Sequence, residues 1–230
     1  MTHFRYYILP RIRRALSILL LCLGLFSVWL ALDTPFFSSD AVLHRIRQEN
    51  YAPDAATVAS GPIGYRELWG NYLPENTWWF VCRSGDQFYF HTLQKVAGFL
   101  WRPAQNTLSP RCYHVDLSQS SIPLHLELMG LEPGPEQEYE LTPIVVCTDP
   151  AVVRVEAQFL KLGHREEGDP QAAMDSRGVS PVFTQVADGV WAAPPILVPG
   201  VDDDSGSSLI VWYQGYDADG NLLYRFPSTF

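Results

Sequence analysis

The run from Ala15 to Leu32, ALSILLLCLGLFSVWLAL, contains no charged residue and constrains this chain more than any other feature. As an α-helix, a run of this length rises about 27 Å, which is close to the thickness of a bilayer's hydrocarbon core. Each Leu, Ile, Val or Phe near the bilayer centre favours insertion by about 0.3–0.6 kcal/mol, and no charge opposes them. The sequence therefore predicts a transmembrane helix over residues 15–32.

The residues on either side of this run predict its orientation. Four arginines and no acidic residue precede it: Arg5, Arg11, Arg13 and Arg14. After it, Asp33 and Asp40 come before the next basic residue. Because the positively charged flank of a membrane helix stays in the cytoplasm, we expect residues 1–14 to form a cytoplasmic tail and the remainder to lie outside.

A cleaved secretory signal is the main alternative to an anchor. Such signals have a shorter apolar region, and small residues at the cleavage site. The best match here, Ser39-Asp40-Ala41, is poor and lies well beyond the apolar run. A lipoprotein signal would need a small residue before Cys22, where the chain has Leu21. We favour an uncleaved anchor, and both alternatives export the same domain.

The exported part is apolar enough to fold and too acidic for some partners. The chain is 47% hydrophobic and 13% aromatic, so residues 33–230 can bury a core. All 25 acidic residues lie after residue 32, so this part is more negative than the whole-chain value of −9. Nucleic acid and anionic lipid need clustered Lys and Arg, which argues against both as partners.

Three cysteines lie outside the predicted membrane helix, namely Cys82, Cys112 and Cys147. An oxidising compartment would allow one disulfide and leave one thiol, and the spacing does not identify the pair. Three small buried thiols without a bridge are an equal alternative.

The segment after the anchor predicts a helix and a linker. Residues 38–49, SSDAVLHRIRQE, begin with helix-capping side chains and place Val42, Leu43 and Ile46 at helical spacing. Proline and glycine then interrupt residues 51–64. We expect residues 33–64 to form a juxtamembrane helix and linker.

Residues 65–116 are expected to form a small aromatic-rich β unit. WWFVC and QFYFHTLQK flank Ser84-Gly85-Asp86, which is typical of a hairpin, and VAGFLW ends at Arg102-Pro103. A dense set of aromatic side chains falls here: Tyr65, Trp69, Tyr72, Trp78, Trp79, Tyr89 and Trp101. Exposed, they could stack on sugar rings, but a buried core is the simpler interpretation.

Residues 117–230 predict an antiparallel sandwich with immunoglobulin-like architecture. In AVVRVEAQFLKL, apolar residues alternate with Arg154, Glu156 and Gln158, which indicates a strand with one solvated face. Asp188-Gly189 and Asp219-Gly220 are typical hairpin turns. Residues 163–180 lack a strand pattern, and we expect an exposed loop there. The fold class is therefore mainly β, with an N-terminal transmembrane helix and a short juxtamembrane helix.

The basic N-terminus, the single anchor, VVRVEAQF after Asp149-Pro150, and the terminal YDADGNLLYRF resemble features of membrane-anchored exodomains of Gram-positive bacteria. The resemblance covers the last third of the chain and rests on turn chemistry. It implies a location at the cell surface and a C-terminal β-sandwich, and it implies no activity.

Two histidine and acid pairs are candidate metal ligands. His114 and Asp116 share a face of one predicted strand, and His125 and Glu127 share a face of the next. Across a hairpin all four could converge on Zn²⁺. Two polar pairs at period two also arise on any solvated sheet face, and we favour that interpretation.

Two acidic runs resemble parts of a calcium loop: Asp202, Asp203, Asp204, Ser205 and Ser207, and then Asp217 to Asn221. Ca²⁺ needs six to eight oxygens, and neither run supplies the later bidentate acid of an EF-hand. Solvated turns are favoured.

Catalytic motifs are absent from the sequence: there is no Gly-x-Ser-x-Gly, no His-Glu-x-x-His and no glycine-rich phosphate loop. We assign no catalytic, cofactor-binding or metal-binding residue and expect no cofactor. The predicted function is a membrane-anchored extracytoplasmic module that binds a protein or an envelope component. The alternatives are an envelope-polymer hydrolase that uses His114, His125 and nearby acids, and a structural subunit of a membrane complex.

Overall fold

The computed structural model describes residues 2–31, 36–49, 52, 54–63, 76–104, 113–131, 139–163, 169–201 and 207–227. The chain is mainly β with antiparallel sheets, and one N-terminal helix is apolar. The described helices are α1 Thr2–Ala31, α2 Ser39–Glu49 and α3 Pro170–Arg177. All described strands belong to three sheets.

The first sheet contains β1 Ala56–Pro62, β2 Thr77–Ser84, β3 Gln87–Val96, β4 Leu100–Pro103 and β5 Tyr113–Asp116. Its order is β1-β2-β3-β4, and β5 also pairs with β3. The predicted β2–β3 hairpin is confirmed, and Gly85 at its turn has a φ of 59°. A side chain at that φ is strained, so glycine suits the turn.

The second sheet contains β6 Leu124–Leu131, β7 Tyr139–Cys147, β9 Thr184–Ala187, β10 Val190–Ala192 and β11 Ile196–Val198. Its order is β11-β7-β10-β9, and β6 also pairs with β7. The third sheet contains β8 Arg154–Gly163, β12 Ser207–Tyr216 and β13 Leu222–Phe226, in the order β13-β12-β8. The predicted hairpins at Asp188-Gly189 and Asp219-Gly220 are both confirmed.

The second sheet is packed on both faces. On one face, Ile144 and Val146 join Phe88 and Phe90 of the first sheet in one hydrophobic cluster. On the other face, Val145 packs in a second cluster with side chains of the third sheet. Every residue of β7 from 141 to 147 is buried, which explains why this strand reads as a continuous apolar run rather than an alternation.

One helix covers the outer face of each outer sheet. Val42 and Leu43 of α2 pack on Phe80 and Leu93 of the first sheet, as their helical spacing predicts. Met174 of α3 packs on the third sheet. The layers therefore follow the order α2, first sheet, second sheet, third sheet, α3.

Helix α3 corrects the prediction of an exposed loop over residues 163–180. Asp169 caps the helix by accepting a 2.9 Å hydrogen bond from the Gln171 backbone N–H, and Pro170 occupies its first turn. Met174 is 1% exposed. The Asp169 cap and the buried Met174 side chain therefore stabilise α3, which is too short to show a clear helical hydrophobic period in the sequence.

The N-terminal helix contains a candidate membrane span. Residues Ile12–Trp29 of α1 have a mean hydropathy of 1.7, and none of this window is buried. Among the described residues, α1 is the one helix long and apolar enough to cross a membrane. The predicted span 15–32 lies in α1 except for Leu32, which is outside the described residues.

The chain after α1 attaches directly to the first sheet. Phe36 and Trp101 form a β-bridge with N···O distances of 2.8 and 2.7 Å. The first hydrophobic cluster also crosses the predicted domain boundary after residue 116, since Leu117 packs in it with Phe88 and Ile144. The division into units 65–116 and 117–230 stays a prediction.

Candidate functional site: a groove on the third sheet

The two histidine and acid pairs lie on different faces of the molecule. His114 stacks on Tyr89, with ring centroids 5.8 Å apart, and Tyr89 belongs to the cluster that packs under α2. Asp116 accepts a 3.2 Å hydrogen bond from Gln87 Nε2. Hydrogen bonds from the Ser118 and Gln87 side chains lower the pKa of the Asp116 carboxyl. This pair therefore belongs to the outer face of the first sheet.

His125 and Glu127 project from β6 on the side of the first sheet. His125 Nε2 lies 3.3 Å from Glu127 Oε2, and both side chains are largely buried. The His125 ring contacts the rings of Phe90 and Tyr113, with centroids 6.1 and 6.2 Å away. The structure does not bring the two pairs together, and the described part of the chain contains no group of three or more His, Cys, Asp or Glu suited to a metal ion.

The Asp217 turn uses its acidic side chain to close a hairpin. Asp217 Oδ1 accepts hydrogen bonds from the backbone N–H groups of Asp219 and Asn221 at 3.0 and 2.8 Å, and Oδ2 accepts from the Asn221 side chain at 2.9 Å. These bonds, the one from the Asn221 side chain first, lower the pKa of the Asp217 carboxyl. Both oxygens already serve the β12–β13 turn. The other acidic run, 202–205, lies outside the described residues.

The aromatic residues near β2 mostly contribute to the core. Trp79 and Tyr89 are buried, and Trp78 and Trp101 are half-buried and meet edge to face, with ring centroids 6.1 Å apart. The core interpretation fits these four. The remaining three, Tyr65, Trp69 and Tyr72, lie outside the described residues.

A groove of about 360 Å³ opens on the outer face of the third sheet. It is lined by Glu156, Ala157, Gln158, Ser180, Pro181, Val182, Trp212 and Gln214. Strands β8 and β12 form the floor of the groove, where Gln158 pairs with Trp212 and Glu156 pairs with Gln214. Residues paired across an antiparallel ladder project to the same face, so these four side chains form one surface.

The wall of the groove is the segment that follows α3. Phe159 and Val179 form a β-bridge through backbone bonds of 2.9 and 2.8 Å. Gln158 Nε2 donates a 3.3 Å hydrogen bond to Ser180 Oγ. Capping of α3 and this bridge together hold Ser180 to Val182 beside β8.

Charged and aromatic side chains extend the groove along β12. The Arg154 guanidinium lies 4.1 Å from the centroid of the Tyr216 ring and also pairs with Glu156. The Tyr216 hydroxyl donates a 3.1 Å hydrogen bond to Glu156 Oε2. Burial, and then this bond to Glu156, raise the pKa of Tyr216. The carboxylate of Glu156 is therefore held in place at one end of the groove.

The Gln214 amide links this network to β13. Its oxygen accepts hydrogen bonds from Arg225 Nε and Nη2 at 2.9 and 3.0 Å, and its nitrogen faces the Tyr216 hydroxyl. The groove floor thus contains amide and carboxylate groups in fixed orientations. Such groups can exchange hydrogen bonds with hydroxyls or amides of a ligand.

A second cavity, of about 100 Å³, lies at the end of β7 near Cys147, beside the turn that precedes β8. Arg83, Asp149 and Asp188 also line it. Burial raises the pKa of the Cys147 thiol to about 11, so the reactive thiolate is disfavoured. The volume is below the range of about 300–1,000 Å³ that small-molecule sites occupy.

Sequence reasoning predicted the solvated face of β8 through Arg154, Glu156 and Gln158, but it did not connect that face to Trp212 and the segment after α3. The available signal was the alternation of β8. Placing Trp212 opposite Gln158 required the strand register. Neither a protein-family model, nor a curated protein, nor a solved structure matches this chain.

Proposed function

We propose that this protein is a single-pass, membrane-anchored binding module that holds an envelope glycan in the groove on its third sheet. The observation that carries the proposal is the groove itself, in which an indole, two amides and a carboxylate line one surface. The N-terminus is cytoplasmic and the sheets are extracytoplasmic, as the arginines of residues 1–14 favour.

The chemistry of the groove suits a polar ligand with many hydroxyls. The Glu156 carboxylate can accept hydrogen bonds from sugar hydroxyls, and the Gln158 amide can both donate and accept them. The Trp212 indole is 6% exposed and packs with Leu160 and Met174, so it forms a fixed apolar part of the groove floor. Half of the lining residues are polar and half are apolar, a mixture that matches the hydroxyls and the C–H faces of a sugar ring.

The position of the groove supports a binding role at a distance from the bilayer. The anchor attaches through the Phe36–Trp101 bridge to the first sheet, and the groove lies on the third. Stacked sheets are spaced by about 10 Å, so about 20 Å separates the two outer sheets. The immunoglobulin-like topology stays a prediction, which the packing of the second sheet on the third supports.

The groove offers no nucleophile paired with a base. Its lining includes one carboxylate, Glu156, and neither His114 nor His125 reaches it. This favours binding over the hydrolase alternative.

The test measures glycan binding by the full chain in lipid nanodiscs. Oligomers of glucose and of N-acetylglucosamine serve as probes, titrated by calorimetry. Val182 is 80% exposed on the groove wall, so Val182→Asp should block the groove without unfolding the chain. Gln158→Ala should weaken binding about fivefold, the value of one hydrogen bond.

The matched control is Val186→Asp. Val186 is 47% exposed on β9, outside the groove, and its substitution should leave binding unchanged. Absence of binding by both oligomers, or equal binding by the Val182→Asp and Val186→Asp variants, would contradict the proposal.

A further inference from the structure

Two exposed aromatic rings stack at the end of the first sheet. Phe37 is 82% exposed and Phe99 is 56% exposed, yet their ring centroids lie 6.1 Å apart with an angle of 17° between the rings. Ala97 and Gly98, beside Phe99 in the β3–β4 turn, are exposed as well. We call Phe37 together with residues 97–99 the aromatic tip.

The core holds the aromatic tip in place. The Phe36–Trp101 bridge fixes the chain on one side of it. The Trp101 ring packs edge-on against Phe80, with centroids 5.9 Å apart. Ala97 and Gly98 adopt positive φ angles of 50° and 77°, which turn the hairpin tightly before Phe99. The two exposed rings are therefore presented on a fixed support.

The anchor keeps the aromatic tip close to the bilayer. Helix α1 ends at Ala31, and Phe37 follows six residues later. At about 3.4 Å per residue, a fully extended connection spans at most about 20 Å. The headgroup region on each side of the hydrocarbon core is about 5–8 Å thick. Phe37 can therefore reach the headgroup region on the side where α1 emerges.

The β3–β4 side of the aromatic tip is basic, whereas Asp40 lies three residues after Phe37. Residues 87–103, the two strands and their turn, contain Lys95 and Arg102 and no acidic residue. The Lys95 ammonium lies 5.5 Å from the centroid of the Trp101 ring. Long basic side chains beside aromatic rings are typical of the membrane interface, where the charge reaches the phosphates.

We propose that the aromatic tip inserts into the interface of the bilayer that α1 spans. Phe37 and Phe99 enter the headgroup region, and Lys95 faces lipid phosphate. The attachment comes from apolar insertion next to a tether, so it does not need anionic lipid. It fixes the first sheet against the membrane and directs the third sheet away from it. The contact requires an uncleaved anchor and is independent of any ligand in the groove.

The test uses the full chain in zwitterionic lipid nanodiscs that contain a lipid with a diazirine on its upper acyl chain. Irradiation labels residues in contact with lipid, and mass spectrometry locates the label. We expect label in α1 and in peptides covering Phe37 and residues 97–101. The matched reference is Val182, an 80% exposed apolar side chain on the third sheet, which should stay unlabelled.

The variant Phe37→Ser/Phe99→Ser completes the test. Both side chains are exposed, so the fold should persist, as near-ultraviolet circular dichroism would show. Label at 97–101 should fall to the level of the Val182 peptide while label in α1 stays constant. Glycan binding should also stay constant, which separates this inference from the proposed function.

Labelled α1 together with a wild-type aromatic tip no more labelled than Val182 would overturn the proposal.

Discussion

The Tyr224 hydroxyl donates a 2.6 Å hydrogen bond to Asp149 Oδ2 and so joins β13 to the turn that precedes β8. Asp149 Oδ1 accepts a second bond, of 2.9 Å, from the Ala151 backbone N–H. The Tyr224 bond, and then that from Ala151, lower the pKa of the Asp149 carboxyl. The same bond raises the pKa of Tyr224 to about 12. One hydrogen bond therefore lowers the pKa of Asp149 and raises the pKa of Tyr224.

We predict that Tyr224→Phe lowers the free energy of unfolding by about 1 kcal/mol at pH 7. This is less than the roughly 1.5–3 kcal/mol of a typical hydrogen bond to a charged group, because both side chains reach solvent. Because its pKa is lowered on folding, Asp149 contributes stability above about pH 3.9. That contribution is lost as pH falls through the pKa of the folded state. The raised pKa of Tyr224 stabilises it below about pH 10, and this is lost as pH rises through about 12. Denaturant titrations of the full chain in micelles measure the difference.

The control for this bond is a double-mutant cycle with Asp149→Ala. Each single substitution removes the same hydrogen bond, so the double variant should be less destabilised than the sum of the two. Additive losses would show that the bond contributes nothing measurable.

Local patterns in the sequence predicted the elements that depend on neighbouring residues. The spacing of Val42, Leu43 and Ile46 identified the buried face of α2, and Gly85 and Gly220 marked hairpin turns. These features follow from backbone conformation and side-chain period alone, so one chain segment suffices to predict them.

The layer order depends on contacts between distant segments and could not be predicted in this way. The apolar run Ile144–Cys147 does not reveal that both its faces are covered, because a buried strand and a one-sided strand share much of their composition. The groove likewise needs the register that pairs Gln158 with Trp212. Strand spacing therefore predicted the antiparallel β class but not the order of the three sheets.

The glycine at the β9–β10 turn is required by both conformation and space. Gly189 has a φ of 69°, and a Cβ atom there would lie 2.4 Å from the Cys147 carbonyl oxygen. We expect Gly189→Ala to destabilise the fold by at least about 2 kcal/mol, because strain at positive φ adds to a backbone clash. Thermal unfolding followed by near-ultraviolet circular dichroism would measure it.

Gly220→Ala is the matched control for Gly189→Ala. Gly220 has a φ of 84°, but open space surrounds the position of its Cβ. Its substitution should therefore cost only the conformational strain of about 1 kcal/mol. Equal losses of stability for the two alanine variants would mean that the backbone moves away from the Cys147 carbonyl oxygen at no energetic cost.

The buried thiols should be unreactive in the folded chain. Cys82 is fully buried and Cys147 is 2% exposed, and burial raises the pKa of both thiols, that of Cys147 to about 11. At pH 8, a thiol with that pKa is roughly 0.1% thiolate. In a Cys22→Ser/Cys112→Ser variant, we expect maleimide labelling to need denaturant.

Mass spectrometry before and after addition of guanidinium would count the labelled thiols. Two labels should appear only after unfolding. Cys82 and Cys147 belong to different hydrophobic clusters, so they do not form a disulfide with each other. Rapid labelling of either residue without denaturant would contradict its burial.

The orientation of the anchor can be tested with tags at both ends of the chain. We expect protease added to sealed cells to remove a C-terminal tag and to leave an N-terminal tag protected. The physical reason is that arginines before an apolar run favour retention of that flank on the cytoplasmic side, and four arginines precede this run. Replacing Arg11, Arg13 and Arg14 with serine should therefore yield a mixture of the two orientations.

The same tags distinguish an anchor from a cleaved signal. Cleavage would separate the N-terminal tag from the sheets and release the C-terminal tag into the medium. An anchor keeps both tags on one membrane-bound chain. A C-terminal tag that resists external protease, while a known surface protein is digested, would reverse the orientation. The groove would then face the cytoplasm, where an envelope glycan cannot reach it.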